Sequence, residues 1–486
     1  MGARNGKQYL AGLREQPREV WLGGERVRDV TSHPGLSGGA RAIASLYDMQ
    51  CDPGLQDEMT YRSPSSGERV GLSFIIPRTR DDLERRSKMM LNWARATCGM
   101  MGRSPDFMNV TYAAWAGAAD FFGQGGRPEF AENMRRYYEY LRENDICLTH
   151  ALINLQRSRT ASGVFNLQQG TALEVVRETD AGIVVRGARI LATLGPLADE
   201  IGVYSPRMGR HTENHSPFAL SFAIPCGTPG IKFLCRDSFD HGRSHFDQPL
   251  GSRFEEMDCI VFFDDVLVPW ERVFLLGDVD RLNATAHATH SSVHSAHQGA
   301  AKNLAKCEFV LGTALLMTQT LGNAHLPQVE ERIGELMLTT QLTRACIRAA
   351  EAEAKLDEWG VMCPDPLLAE SPRNLFMNAY PRMIEIVQLL GSSSFMLTPS
   401  EADFKGPLKS DIEQYLATDS TAARDRVKLF RLAWDLAGNA FGSRQVLYER
   451  FFASDPLTRA RALASIYPKQ EVMDRVREFL ARDDEE

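Results

Sequence analysis

The chain contains no run of about eighteen apolar residues, the length a helical membrane span requires. Clustered positive charge is also missing. Lys and Arg number 55 against 63 Asp and Glu, a net charge of -8, and no basic stripe forms, so nucleic acid is not an expected partner. Cysteine lacks a pattern: nine are scattered at 51, 98, 147, 226, 235, 259, 307, 346 and 363, with no Cys-x-x-Cys pair. An odd, unpatterned set argues against a disulfide framework or structural zinc. It fits reduced, mostly buried thiols in a cytoplasmic protein. Behind Met1-Gly2-Ala3-Arg4-Asn5 a charged amphipathic segment follows, without the apolar core of a secretion signal. No Gly-x-Gly-x-x-Gly sits at a strand–helix junction, so a Rossmann fold gains no support. Internal repeats and long low-complexity stretches are absent.

What remains is ordinary globular composition, 43% hydrophobic and 24% charged over 486 residues, long enough for two or three domains. Residues 1–150 read as mainly helical. Asp81-Asp82-Leu83-Glu84 starts a helix with acidic residues in its first turn, and Phe130-Ala131-Glu132-Asn133-Met134 begins another. Residues 151–275 read as a β domain. Ala172–Val176 and Gly182–Ala188 flank Asp180-Ala181-Gly182 in strand–turn–strand fashion, and Phe218–Ile224 and Cys259–Phe263 add strands. Residues 276–486 read as a long-helix bundle. Val329, Ile333, Leu336 and Ile347 share one helix face, interrupted by Thr340 and Thr343, while Leu338, Leu342 and Cys346 fall opposite. Apolar residues on two sides predict a buried helix. Leu304, Cys307, Val310 and Leu315 approximate a second helical pattern. Long faces of this kind suit a homo-oligomer. The fold class is α+β, in the order helical, β, helical.

Two segments bear chemistry. Met101-Gly102-Arg103-Ser104-Pro105-Asp106-Phe107 sets a guanidinium beside a Pro turn, and Leu148-Thr149-His150-Ala151 sets an imidazole after a helix-like run. An Arg before Ser-Pro is ordinarily a surface or capping residue, and a lone His is ordinarily structural. His287, His290, His294 and His297 form a cluster at helical spacing. No carboxylate or cysteine stands at convincing ligand spacing, so packing or solvated histidines are expected and no metal.

Collinear with these run Glu25–Pro34 (ERVRDVTSHP), Glu178–Val185 (ETDAGIVV), Leu191-Ala192-Thr193, Pro249–Phe254 (PLGSRF), Val268-Pro269-Trp270-Glu271 and Phe441–Glu449 (FGSRQVLYE). Nearly end to end, the chain resembles the large component of two-component flavin-dependent phenol monooxygenases, the 4-hydroxyphenylacetate 3-monooxygenase family. The resemblance implies an acyl-CoA dehydrogenase-like fold and a homotetramer. It implies reduced FAD supplied by a separate, transiently bound flavin reductase. It further implies reaction of that flavin with oxygen to a flavin hydroperoxide, and hydroxylation of a phenol ortho to its hydroxyl to give a catechol. On the family's pattern, Arg103 stabilises the phenolate, and His150 bonds the substrate oxygen or acts as general base. Ser104, Phe107 and Ser205 join them at the substrate, with His294 or His297 added by likeness to a halophenol branch. His150, Gln156, Arg159, Thr193 and Gly442-Ser443-Arg444-Gln445 would hold FAD, and Leu390–Ser394 is a second small-residue loop of that kind.

The sequence departs from the family at several places. Phe107 stands where Tyr is common, losing a phenolic hydroxyl. Leu155 and Ser158 are substitutions around Gln156 and Arg159. Ser205 is followed by Pro206, which offers neither hydroxyl nor N–H, and this weakens the case for 4-hydroxyphenylacetate itself. A tyrosine-derived phenol, free or tethered to a carrier protein, is compatible. Rival readings are a halophenol monooxygenase, an acyl-CoA dehydrogenase, an iron–sulfur 4-hydroxybutyryl-CoA dehydratase and an inactive flavin-binding scaffold. Against the dehydratase, Gly102 stands where a second iron ligand after Cys98 would be needed.

Overall fold

The structure is a computed structural model, and it describes residues 2–155, 170–205, 208 and 213–482. Two sheets form its centre. The larger runs in the order Glu25–Val27, Glu19–Leu22, Ile231–Cys235, Cys259–Pro269, Gly182–Ile190, Ile153–Asn154, and Glu174–Thr179 also pairs with Gly182–Ile190. The smaller runs Val273–Leu276, Leu220–Pro225, Glu200–Tyr204, Leu148–Ala151. β-Branched and aromatic residues recur in these strands, the composition that packs well on a pleated surface. The sheets meet through residues such as Phe222 and Phe263, whose rings stand edge to face at 6.3 Å.

His150 does not end a helix. The preceding helix Glu129–Asn144 stops at Asp145, which takes a left-handed conformation. The chain then enters the strand Leu148–Ala151, where His150 pairs in parallel register with Gly202. The strand's buried neighbours, not local periodicity, decide this.

Helices surround the sheets. Arg80–Ala96 begins at a reciprocal cap in which Thr79 and Asp82 satisfy each other's main-chain N–H. Pro105–Gly117 starts with Ser104 at its N-cap and Pro at the first turn. Both pack on Ser291–Thr320, the central helix of a bundle with Pro327–Ala352, Pro366–Gly391 and Ala423–Ala437. Along Pro327–Ala352 only one face is buried. Val329, Ile333, Leu336 and Ile347 lie inside, and Thr340 and Thr343 join them by bonding the carbonyls of Leu336 and Thr339. Leu338 and Leu342 are exposed, contrary to the two-sided burial the pattern predicts; one chain offers that side no partner. Leu315, 39% exposed, also leaves the buried stripe of Leu304, Cys307 and Val310. Among the described residues no helix is long and apolar enough to cross a membrane.

The bundle buries an ionic cluster. Lys302 and Lys306 both pair with Glu449, and Lys306 also donates to Gln445 (2.8 Å). Burial pulls the pKa of the Lys302 ammonium down to about 7. Two buried ammonium groups depend on one carboxylate, so Glu449→Gln is expected to cost about 3–5 kcal/mol. Urea unfolding at neutral pH measures it; a loss below about 1 kcal/mol, the scale of an exposed pair, would show that the lysines are solvated or shed their protons instead of staying charged and buried.

Candidate active site

A cavity of about 850 Å³ opens between the larger sheet, the turn at Arg103 and the helix Ala440–Phe451. Arg103, His150, Thr193, Ser443 and Arg444 line it. Its apolar walls include Leu191, Leu234, Leu447 and Phe451, all exposed. A mostly apolar concavity with a few convergent polar groups suits an aromatic ligand.

Arg103 is placed by its main chain and its neighbours. Its N–H donates to Glu256 (2.6 Å), and its Nη1 donates to the Tyr448 hydroxyl (2.7 Å). The guanidinium lies over the Phe107 ring, 4.0 Å from its centroid, a cation–π contact. Phe107 in turn packs against His150, ring centroids 5.5 Å apart. Burial, and then the charge of Arg103, hold the pKa of His150 well below its ordinary range. A neutral imidazole can accept a proton. Nδ1 of His150 is buried and has no hydrogen-bond partner among the described residues.

Thr193 stands on a constrained turn. Leu191 and Leu194 on either side of it have φ of 60° and 71°, and Met257 opposite has 57°. Such left-handed conformations are costly for leucine and methionine and persist only where the surroundings impose them. Here they do: Ala192 N–H donates to Cys259 O (3.0 Å) and Leu194 N–H to Met257 O (2.9 Å). The turn delivers the Thr193 hydroxyl to Asp258 (2.6 Å). Arg444 grips the same segment, Nη2 to Asp258 (2.8 Å) and Nη1 to Glu256 (2.7 Å). Arg236 reaches Asp258 through Nε (2.9 Å). Burial opposes ionisation of Asp258, yet Arg444 and then Arg236 hold its carboxyl well below the usual range.

Other expected residues sit behind or outside the cavity. Ser104 holds the N-cap position of its helix, and Gly442 backs onto the Leu436 carbonyl. Gln445 points inward, donating to Met100 O (3.0 Å) and accepting from Lys306. Ser205 is buried between Phe218 O and Arg189 Nη2 (3.0 Å from the latter). His294 and His297 do not line the cavity. His294 is bonded to Arg86 (2.8 Å) and His297 to Glu351 (2.9 Å), since their helix turns them to its buried side. The small residues Gly391–Ser394 end a helix near Phe395 instead. Gln156 and Arg159 lie outside the described residues. Asp258, Glu256, Arg236 and Tyr448 were not singled out by sequence. Their signals were available: Asp258 ends an acidic run just after Pro249–Phe254, and Tyr448 lies within Phe441–Glu449.

Fold and site together define a protein of the acyl-CoA dehydrogenase-like architecture with an aromatic-sized cavity, and comparison with known proteins is more specific. Residues 5–275 match the model for the 4-hydroxyphenylacetate 3-hydroxylase N terminal, and residues 282–481 that for its C terminal. The chain therefore belongs to the 4-hydroxyphenylacetate 3-hydroxylase family. It is 44% identical to the 4-hydroxyphenylacetate 3-monooxygenase oxygenase component of Thermus thermophilus, over 98% of this chain and 97% of that one. A crystal structure of such a component, complexed with FAD and 4-hydroxyphenylacetate, superposes with a TM-score of 0.94 at 44% identity, covering 99% of both chains. A Streptomyces globisporus relative, a monooxygenase of a peptidyl-carrier-protein-bound chloro-hydroxyphenyl substrate, is 33% identical over 93% of this chain and 85% of its own length. Butyryl-CoA dehydrogenase from Megasphaera elsdenii shares the fold, with TM-score 0.52 and 14% identity over 95% of this chain and 97% of that one.

Replacing Asp258 by Asn is expected to destabilise the chain at pH 7 by about 3–5 kcal/mol, because two arginines lose a buried partner. The folded carboxyl titrates below its unfolded value near 3.9. Its contribution is therefore complete above that value and lost as pH falls through the folded one. Denaturant titrations should show the gap between wild type and D258N narrowing below about pH 4; a gap independent of pH would remove the ion pairs from the account.

Proposed function

We propose that this chain is the oxygenase component of a two-component monooxygenase, which takes reduced FAD from a separate flavin reductase and hydroxylates a phenol ortho to its hydroxyl. The observation that carries the reading is the convergence of a buried Arg103 and a buried, neutral His150 on one apolar cavity. Family membership supports it.

The residues present fit the cofactor. Exposed apolar walls at Leu191, Leu447 and Phe451 need covering, as a planar ring system would do, and Thr193, Ser443 and Arg444 supply polar groups among them. Gln156 and Arg159 complete the proposed set. Gly442 and Gln445 serve it from behind, by fixing the segment that carries Ser443 and Arg444. When bound, reduced FAD would supply the two electrons that activate dioxygen, one atom of which goes to the phenol while the other leaves as water.

The side chains act on the phenol. Free phenols ionise near pH 10, and a phenolate carbon ortho to oxygen is the stronger nucleophile. Arg103 stabilises the anion electrostatically. His150, neutral and lacking a partner at Nδ1, accepts the phenolic proton. Phe107 packs between the two and sets their spacing. Ser104 and Ser205 act one layer back. Ser104 starts the helix that carries Phe107, and Ser205 is engaged by Arg189.

A carrier-tethered phenol is favoured as the second reading by the open apolar mouth of the cavity and by the Streptomyces relative's substrate. Exposed Leu316, Leu338 and Leu342 on the bundle support a homotetramer. Nine cysteines without a disulfide support a reducing, cytoplasmic setting.

With reduced FAD, oxygen and a panel of free and carrier-bound phenols, wild type is expected to yield a catechol. Arg103→Ala and His150→Ala are each expected to lower product formed per flavin oxidised by about 10²–10⁴-fold, with unfolding midpoints less affected. Product analysis alongside thermal unfolding decides this. No hydroxylated product from wild type with any phenol would refute the function; undiminished yield in either variant would refute that residue's role.

A further inference from the structure

Arg103 spends its Nη1 on the hydroxyl of Tyr448, which comes from a helix far along the chain. The approach is close enough to restrict position 102. A Cβ there would collide with the Tyr448 hydroxyl and ring, so any other residue would displace the tyrosine. Tyr448 lines the cavity and stacks on Phe452, ring centroids 5.1 Å apart. Its oxygen accepts from Arg103, while its own proton has no acceptor among the described residues. The charged groups around the ring are Arg103, Arg444, Lys302 and Lys306, with Glu256 and Glu449 behind.

We infer that Tyr448 is a substrate-contacting residue: with its oxygen held by Arg103, it donates its free O–H to the oxygen of the bound phenol, supplying the phenolic donor that Phe107 lacks. A hydroxyl that accepts from a cation is a stronger donor, because hydrogen bonds in a chain polarise one another. Burial keeps the tyrosine protonated, so it serves as donor and leaves proton acceptance to His150. The inference rests on the phenol-binding reading above.

The test compares wild type, Tyr448→Phe and the double variant Phe107→Tyr/Tyr448→Phe. The first change keeps the ring that stacks on Phe452 and removes only the hydroxyl. The probe is 4-nitrophenol, bound without oxygen in the presence of reduced FAD and titrated by its phenolate absorbance. Wild type is expected to bind it with a pKa lower than Y448F does by about one unit, the scale of one hydrogen bond to a charged group. Product yield per flavin oxidised should fall about tenfold in Y448F, and the double variant should recover part of both. Equal probe pKa in wild type and Y448F, with equal yield, would overturn the inference, as would failure of wild type to shift the probe. A shifted probe without hydroxylation by wild type would sustain the contact and refute the oxygenase function instead.

Discussion

Arg444 joins the helix Ala440–Phe451 to the segment at Glu256 and Asp258, and the cavity exists between the parts it joins. The same two carboxylates collect the other fixtures of the site. Glu256 takes the Arg103 main-chain N–H, and Asp258 takes the Thr193 hydroxyl and Arg236. Loosening this clamp would let three walls move independently. Buried ion pairs of this kind recover their desolvation cost only when geometry and hydrogen bonds are complete. Here each carboxylate oxygen of Asp258 accepts from at least two donors.

Charge is distributed against the chain's overall sign. The net charge is -8, yet Arg103, Arg236 and Arg444 line the cavity and Lys302 and Lys306 lie behind Tyr448. The carboxylates that balance them, Glu255, Glu256, Asp258 and Glu449, are themselves engaged by these cations. Such a field favours an anion in the cavity and disfavours protonation of His150. The first effect suits a reaction that needs a phenolate; the second keeps the imidazole unprotonated and free to accept a hydrogen bond.

Much of the scaffold could be read from local pattern. The turn at Asp180-Ala181-Gly182 does join strands, and Asp82 does help cap a helix, because these signals act over a few residues. The site was legible only where short motifs carried it, as at Arg103, His150, Thr193 and Arg444, which do meet at one cavity. His150 lies on a strand because Gly202, distant in sequence, pairs with it, and no local periodicity carries that. His294, His297 and Gln445 are turned to Arg86, Glu351 and Lys306 by packing partners distant in sequence. Thr340 and Thr343 looked like interruptions of an apolar face, but a threonine that bonds the preceding turn's carbonyl can be buried with its hydroxyl satisfied. Tyr448 lies within Phe441–Glu449, and only the fold brings its hydroxyl to Arg103.

Hydroxylation in this cavity requires an oxygen atom to pass from dioxygen onto the carbon beside a phenolic hydroxyl. Mass spectrometry of the product formed with reduced FAD, a phenol and isotopically heavy oxygen gas measures this directly. The expected product is a catechol carrying one heavy oxygen, placed next to the original hydroxyl. An unlabelled product, or oxidation of the flavin with dioxygen going only to hydrogen peroxide for every phenol offered, would refute it.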